Sequence, residues 1–404
     1  MFVENVTEKA TVQQQESSAS NDRDWEAWRQ HWSLRPGVAY LNHGSFGPPP
    51  REVIAARAAW LERLQSEPVD FLTRQLGPAQ DEARSCLARF VGVAAADLIF
   101  TDNATTAMNI VAASFRLEAG DEVLATDHEY GAVLRMWQRR CEQRGARLVV
   151  RPLPCPMHTE EEVVEALFAG ATTRTRLLVF SHVTSPTAIV LPATAICRRA
   201  RRLGLSVCID GSHAIAMRPL SITELNCDYY AASCHKWLCA PFGSGFLYAH
   251  PRAQASVEPL VVSWGPGAGE PATWQSEFNW PGTRDFTSWL TIPAAVAFLE
   301  SVGLDAFRER THALARLARE QIGDVTGLEP LVPDSPAWYG SMISLPLPDG
   351  PSNPLREALW DQYRIEAPII DWQGRRLIRP CCHLHTTPAD VERLAAALRR
   401  LLAK

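Results

Sequence analysis

From about residue 97 onward, short and almost wholly apolar runs alternate with longer amphipathic ones. The short runs predict strands over 97–101, 122–126, 147–152, 176–182, 205–210, 229–233 and 244–249. Several are apolar at nearly every position, as strands must be when helices cover both faces of a sheet. Helical periodicity lies between them, for example over 132–144 and 194–203. Alternation of this kind predicts an α/β fold with a mostly parallel sheet covered by helices. After Arg284 the character shifts. Helices are expected over 288–302 and 311–322, strands over 341–347 and 377–380, and a last helix capped by Thr387 with Pro388 at its first position and Asp390 in the first turn. That reads as a smaller C-terminal α+β domain.

The opening residues, 1–22, are polar, Gln- and Ser-rich and without apolar periodicity, and are expected to be a disordered tail. Residues 23–49 are expected to form a segment that packs with the small domain, 50–285 the large domain and 286–404 the small one. The chain has 404 residues, 46% of them apolar, which suffices for a sizeable core. The net charge of −5 carries no concentrated basic block, which argues against nucleic-acid or membrane partners. The cluster Arg198, Arg199, Arg201 and Arg202 reads as the solvated face of a helix. Ten cysteines lack metal-ligand spacing, no metal site is expected, and reduced thiols are the default. Neither a secretory signal nor a spanning apolar stretch is visible, so a cytoplasmic location is expected.

In such sheets ligands sit beyond the carboxyl ends of strands, so the loops there are where chemistry is expected. Three segments stand out. Cys208-Ile209-Asp210-Gly211-Ser212-His213 is an apolar strand ending in a carboxylate, then glycine, then histidine. Ser233-Cys234-His235-Lys236-Trp237 follows a second strand, and Asp102-Asn103-Ala104-Thr105-Thr106 a third. Singly, each has an ordinary reading as a helix cap, a solvated lysine or a polar turn. Together they fit pyridoxal 5′-phosphate (PLP). Backbone N–H groups and hydroxyls of Ala104, Thr105 and Thr106 at a helix start suit a phosphate. Asp210 suits a protonated pyridine nitrogen. The aldehyde needs an amine, and Lys236 is the only lysine between Lys9 and Lys404 in a chain with 40 basic residues. A drift from Lys to Arg would spare a lysine where amine chemistry is indispensable.

These segments, with Tyr40-Leu41-Asn42-His43-Gly44-Ser45-Phe46-Gly47, Thr126-Asp127-His128-Glu129-Tyr130-Gly131-Ala132, Cys234-His235-Lys236-Trp237 and Arg376-Leu377-Ile378-Arg379, resemble the class V aminotransferase superfamily of PLP fold type I, and within it the isopenicillin N epimerase-like branch. The resemblance implies that Lys236 holds the cofactor as a Schiff base. It implies that His128 stacks on the ring, with Tyr130 a second candidate in that loop, and that His213 lies near the phenolic oxygen. Ser233 and His235 would join the Thr-Thr turn around the phosphate. Thr283, in Pro281-Gly282-Thr283-Arg284, would reach the neighbouring subunit's phosphate, implying a homodimer with shared sites. Arg379 would clamp the substrate carboxylate, as a bidentate guanidinium can, with Asn42 and Ser185 lining the substrate side. His128 and His213 remain open to a structural reading, and Arg379 to an interdomain ion pair.

The implied activity is α-proton removal from an amino acid or amino-acid conjugate, followed by epimerisation or by β-elimination of C–S lyase type. A class V aminotransferase is the alternative, and a non-catalytic PLP-binding regulator the alternative of another class. Residues 368–376 lack the nucleophilic cysteine of cysteine desulfurases, which argues against persulfide chemistry. Where relatives show Tyr-Asn, this chain has His385-Thr386; His383 and His385 read either as extra acid–base groups or as surface residues. Trp237, Trp264 and Trp280 read as core or dimer packing rather than a substrate box.

Overall fold

The computed structural model describes residues 25–266 and 272–403. The tail expected over 1–22 lies outside them. The strands, in chain order, are β1 (Ala39–Tyr40), β2 (Leu98–Thr101), β3 (Glu122–Thr126), β4 (Arg147–Arg151), β5 (Thr175–Ser181), β6 (Ser206–Asp210), β7 (Tyr229–Ser233), β8 (Gly245–Ala249), β9 (Leu345–Leu347), β10 (Ile365–Glu366), β11 (Ile369–Trp372) and β12 (Arg375–Ile378). Seven of them form one sheet in the order β2-β8-β7-β6-β5-β3-β4. Contacts from β4 through β7 are parallel, and only β8 runs against its neighbours. The fold is therefore the α/β architecture of the sequence reading, with one reversed strand. Strands β2, β3, β7 and β8 are buried at every position, whereas the edge strand β4 alternates exposed and half-buried residues.

Since all strands but β8 point the same way, the carboxyl ends of β2, β3, β5, β6 and β7 open on one edge. Thr101, Thr126, Ser181, Asp210 and Ser233 terminate them. The helix Ala104–Ser114 starts immediately beyond β2, capped by the Asn103 side chain, which accepts from the Thr106 N–H. Two glycines let backbone approach closely here. A Cβ on Gly211 would lie 1.9 Å from the Tyr230 ring, and one on Gly47 would lie 2.7 Å from the Lys236 carbonyl oxygen. The second of these lays the 42–47 loop directly on the lysine's backbone.

A second, antiparallel sheet has the order β11-β12-β9, and β1 pairs in parallel with β10. The last helix, Pro388–Leu402, begins with a capping box made by Thr387 and Asp390. Asp390 is also paired with Arg29 at 2.7 Å, which ties the start of the described chain to its end.

Several boundaries depart from the sequence reading for local reasons. The helix expected over 288–302 breaks at Thr291, because Pro293 sits in the first turn of Ile292–Val302 and can supply no N–H. Asp97 closes a short 3-10 turn and the strand starts at Leu98. The strand expected over 341–347 shrinks to β9, with Met342 making an isolated bridge to Cys381. The strand expected over 377–380 is shifted back to Arg375–Ile378 because it is one arm of a hairpin with β11. Gln373 and Gly374 turn that hairpin, both at positive φ (48° and 74°). Long helices over Arg51–Ser66 and Leu76–Val91 went unread. Among the described residues no single helix is long and apolar enough to cross a membrane.

Candidate active site

At the shared carboxyl edge the loops enclose a cavity of about 350 Å³. Of the residues singled out in the sequence, Ala104, Thr105, Asp210, His213, Ser233, His235, Lys236, Ser185 and Arg379 all line it. They come from five segments far apart in the chain: the order of the large sheet gathers four of them, and Arg379 is brought in from just beyond β12 of the second sheet.

Lys236 enters three residues beyond the end of β7. Its Nζ lies 3.3 Å from His213 Nε2. Burial lowers the amine to about 8, against the pull of Asp210, so a minority of it is already neutral near physiological pH. His213 is held well below the usual histidine range by burial and by the Lys236 and Arg379 charges. Its Nδ1 accepts the Trp237 indole N–H at 3.2 Å. Asp210 terminates β6 and accepts the Ser212 backbone N–H at 3.0 Å. The carboxylate is buried and faces the cavity with its remaining lone pairs.

The Ala104–Ser114 helix aims its start at the cavity through Asn103, Ala104 and Thr105. The Ala104 N–H donates to Ser233 Oγ at 3.0 Å, linking the turn to β7. His235 lines the same corner, and its Nδ1 is buried without a partner among the described residues. Burial and the neighbouring Lys236 lower it to about 4. Across the cavity, the Arg379 guanidinium donates to the Ser185 carbonyl, to Ser185 Oγ at 3.3 Å and to Ser45 Oγ at 2.9 Å. Its Nε–H is buried with no partner among the described residues. Arg379 is thus held by neutral groups, and among the described residues no acid pairs with it, which argues against the ion-pair reading. A buried guanidinium of this kind calls for an anion.

The PLP fit can be tested against these atoms. A carboxylate at a strand end, a partly neutral amine, an orphaned imidazole nitrogen at a helix start and an unpaired guanidinium edge share one cavity. They suit a pyridine nitrogen, an aldehyde, a phosphate and a carboxylate in turn.

Four expected residues stand apart from the cavity wall. Thr106 has its N–H taken by the Asn103 side chain at 2.9 Å. Asn42 donates to Glu366 at 3.4 Å and bridges to Cys381. Thr283 lies in a different hollow, with Arg57, Asp102, Phe242 and Arg284. His128 turns inward because its N–H donates to Thr126 Oγ1 at 3.2 Å; the ring packs against Trp372, with Nδ1 2.7 Å from Thr187 Oγ1. Tyr130, the second candidate, takes the cavity wall and is half exposed. Between them, Glu129 is wholly buried, accepting Thr126 Oγ1 at 2.5 Å and Ser181 Oγ at 2.6 Å. Burial pushes this carboxyl up to about 7.

His383 and His385 are buried, which excludes the surface reading. His43 contacts His385 Nε2 through Nδ1 and the Lys236 carbonyl through Nε2, each at 3.1 Å. Ligand nitrogens of these three histidines fall within 4.8 Å of one another. However, His43 and His383 stack at 3.8 Å, which sends their in-plane lone pairs side by side rather than to one point. The arrangement is that of a neutral hydrogen-bonded network under the lysine. Trp237 is fully buried, but Trp264 is 87% exposed and is not core.

The sequence reading also passed over Ser45, Ser181, Ser212, Met108 and Val183, all of which line the cavity. Ser45 had a signal, since it sits in the quoted Asn-His-Gly-Ser loop. Ser212 likewise sits in the quoted 208–213 segment, whereas Ser181, Met108 and Val183 carry none in one sequence.

Comparison with known proteins gives a consistent picture. The chain is 41% identical over 396 residues to an isopenicillin N epimerase of Amycolatopsis lactamdurans, covering 93% of this chain and 98% of that protein. It is 29% identical to a probable chloroplastic L-cysteine desulfhydrase of Arabidopsis thaliana, over 91% of this chain and 83% of that one. Among solved structures, a cystine C–S lyase in complex with cysteine persulfide superposes with a TM-score of 0.79 at 24% identity, covering 90% of this chain and 98% of the other. The family model for aminotransferase class V matches residues 39–384. With that match and the cavity's chemistry together, the chain belongs to the class V aminotransferases and is a pyridoxal-5′-phosphate enzyme.

Proposed function

We propose that the enzyme epimerises an amino acid or amino-acid conjugate at its α-carbon. The observation that carries the α-proton removal, a step β-elimination shares, is the pairing of a partly neutral Lys236 amine with the Arg379 guanidinium on one cavity. Arg379 binds the α-carboxylate, and Lys236 takes the α-proton as its neutral amine. The bound cofactor supplies the electron sink that makes this proton removable. Asp210 keeps its ring nitrogen protonated, while the helix start, Ser233 and His235 hold its phosphate. The epimerase relative, similar along nearly its whole length, supports inversion as the outcome.

The desulfhydrase relative supports a second reading, β-elimination with loss of a thiol. Persulfide chemistry lacks a nucleophile here. Residues 369–378 form the β11–β12 hairpin and contain no cysteine. Incubation with candidate amino acids in deuterated water separates the readings. Epimerisation is expected to give α-deuterated, inverted amino acid without accumulating pyridoxamine phosphate. Pyruvate plus a thiol would select the lyase, and stoichiometric pyridoxamine phosphate would make the enzyme a transaminase.

The proposal extends to a cytoplasmic homodimer. Leu260, Val261, Val262 and Trp264 form an exposed apolar run, and Thr283 lines a hollow of its own where a partner's phosphate group would sit. Sedimentation is expected to give twice the 44.8 kDa chain mass; a monomer with full cofactor affinity would refute shared sites.

A further inference from the structure

His213 has two ring nitrogens, and the structure assigns a different partner to each. Nδ1 faces the Trp237 indole nitrogen at 3.2 Å, and Nε2 faces Lys236 Nζ at 3.3 Å. Indole N–H can only donate. Nδ1 must therefore present a lone pair, and in a neutral imidazole the single proton falls on Nε2. We propose that Trp237 is a positioning residue whose indole N–H locks His213 in the Nε2–H tautomer, making His213 a hydrogen-bond donor toward the Lys236 amine.

The consequence concerns what Lys236 can be. An ammonium has three donors and no lone pair, so it cannot accept from Nε2–H, whereas the neutral amine can. The lock thus favours the form of the lysine that can attack an aldehyde or take a proton. Other groups around the amine act in both directions. Asp210 and Cys381 favour the charged form, and Arg379 opposes it. Around His213 the charges are Lys236 and Arg379. Among the described residues no acid faces His213 to hold a second proton on it. Trp237 itself is fully buried, with its ring in tilted contact with His43 at 5.7 Å, so its indole has no freedom to turn away.

Removing the indole donor frees Nδ1 to take the proton, and Nε2 then offers a lone pair to the ammonium. One hydrogen bond to a charged group corresponds to an upward shift of about one to two pH units in the Lys236 titration. This deepens the proposed role of Lys236 and rests on it.

The first test needs no substitution. Full-length protein labelled with ¹⁵N-histidine, its cofactor removed with hydroxylamine, is expected to show His213 with a bare Nδ1 and a protonated Nε2 at neutral pH, the signal being assigned by its loss in His213→Gln. A proton on Nδ1, or an imidazolium, would overturn the proposal. The second test follows acetylation of Lys236 against pH by mass spectrometry, with Lys9 and Lys404, the chain's two other lysines, as internal references. Trp237→Phe, and a benzothienyl analogue placed at position 237 alone, both lack the N–H. The analogue keeps the bicyclic shape, which separates loss of the donor from loss of packing. Both midpoints are expected to rise by about one to two units; an unchanged midpoint with the analogue would refute the lock. Should neither variant fold, the wild-type tautomer decides. Failure of the lysine assignment itself would show separately, as cofactor trapped on a residue other than Lys236.

Discussion

Lys236→Ala is expected to lower turnover by about three orders of magnitude or more, the range for losing a positioned acid–base group. The lysine contributes twice in this account, as the amine that holds the cofactor and as the base for the α-proton. The pH dependence has a definite sign. A depressed amine is protonated below its midpoint, so proton removal by Lys236 should rise with pH to about 8 and level off above it. An ordinary lysine would keep rising well beyond that pH. α-Deuterium exchange measured across pH checks both points. Added methylamine should restore part of the exchange in Lys236→Ala, which it could not do for a variant that had merely lost its packing.

Arg379→Ala is expected to impair amino-acid use far more than PLP binding. Losing the partner of a carboxylate in a closed site costs about 2–5 kcal/mol. The penalty should fall on kcat/KM for the amino acid, with cofactor affinity nearly unchanged. Arg379→Lys should recover little. The planar fork already spends donors on Ser185 and Ser45 while keeping Nε–H free, and a compact ammonium cannot reproduce that fork or its bidentate contact with a carboxylate. Equal losses of cofactor and substrate affinity would mean that Arg379 only holds the 45 and 185 loops together.

How much of this was legible beforehand depended on what each feature rests upon. The parallel sheet could be read because strands covered on both faces must be apolar through their middle, as β3 is over 123–125 and β7 over 229–232. Asp210 and Lys236 could be read because a charged residue directly beyond such a strand stands at the one edge where ligands bind. The β11–β12 hairpin could not, since Gln373 takes a positive φ that favours glycine or asparagine. That Tyr130 rather than His128 lines the cavity has a similar cause. Which residue of a four-residue loop faces the cavity is decided by the bond from the His128 N–H to Thr126, and polarity patterns carry no trace of it. The contact of Trp237 with His213 joins the loops after two strands 24 positions apart, so it exists only once β6 and β7 are paired. His383 and His385 were undecided because their burial depends on the 42–47 loop crossing from the other end of the chain.

The claim on which everything else depends is that Lys236 is the amine holding the cofactor. Borohydride reduction of the PLP-loaded enzyme, followed by peptide mapping, tests it directly. The chain has only two other lysines, Lys9 and Lys404, so the map is unambiguous. A pyridoxyl group on the peptide containing Lys236, with loss of the visible band, is the expected result. A pyridoxyl group on another residue, or a single-site adduct that survives in Lys236→Ala, would contradict it.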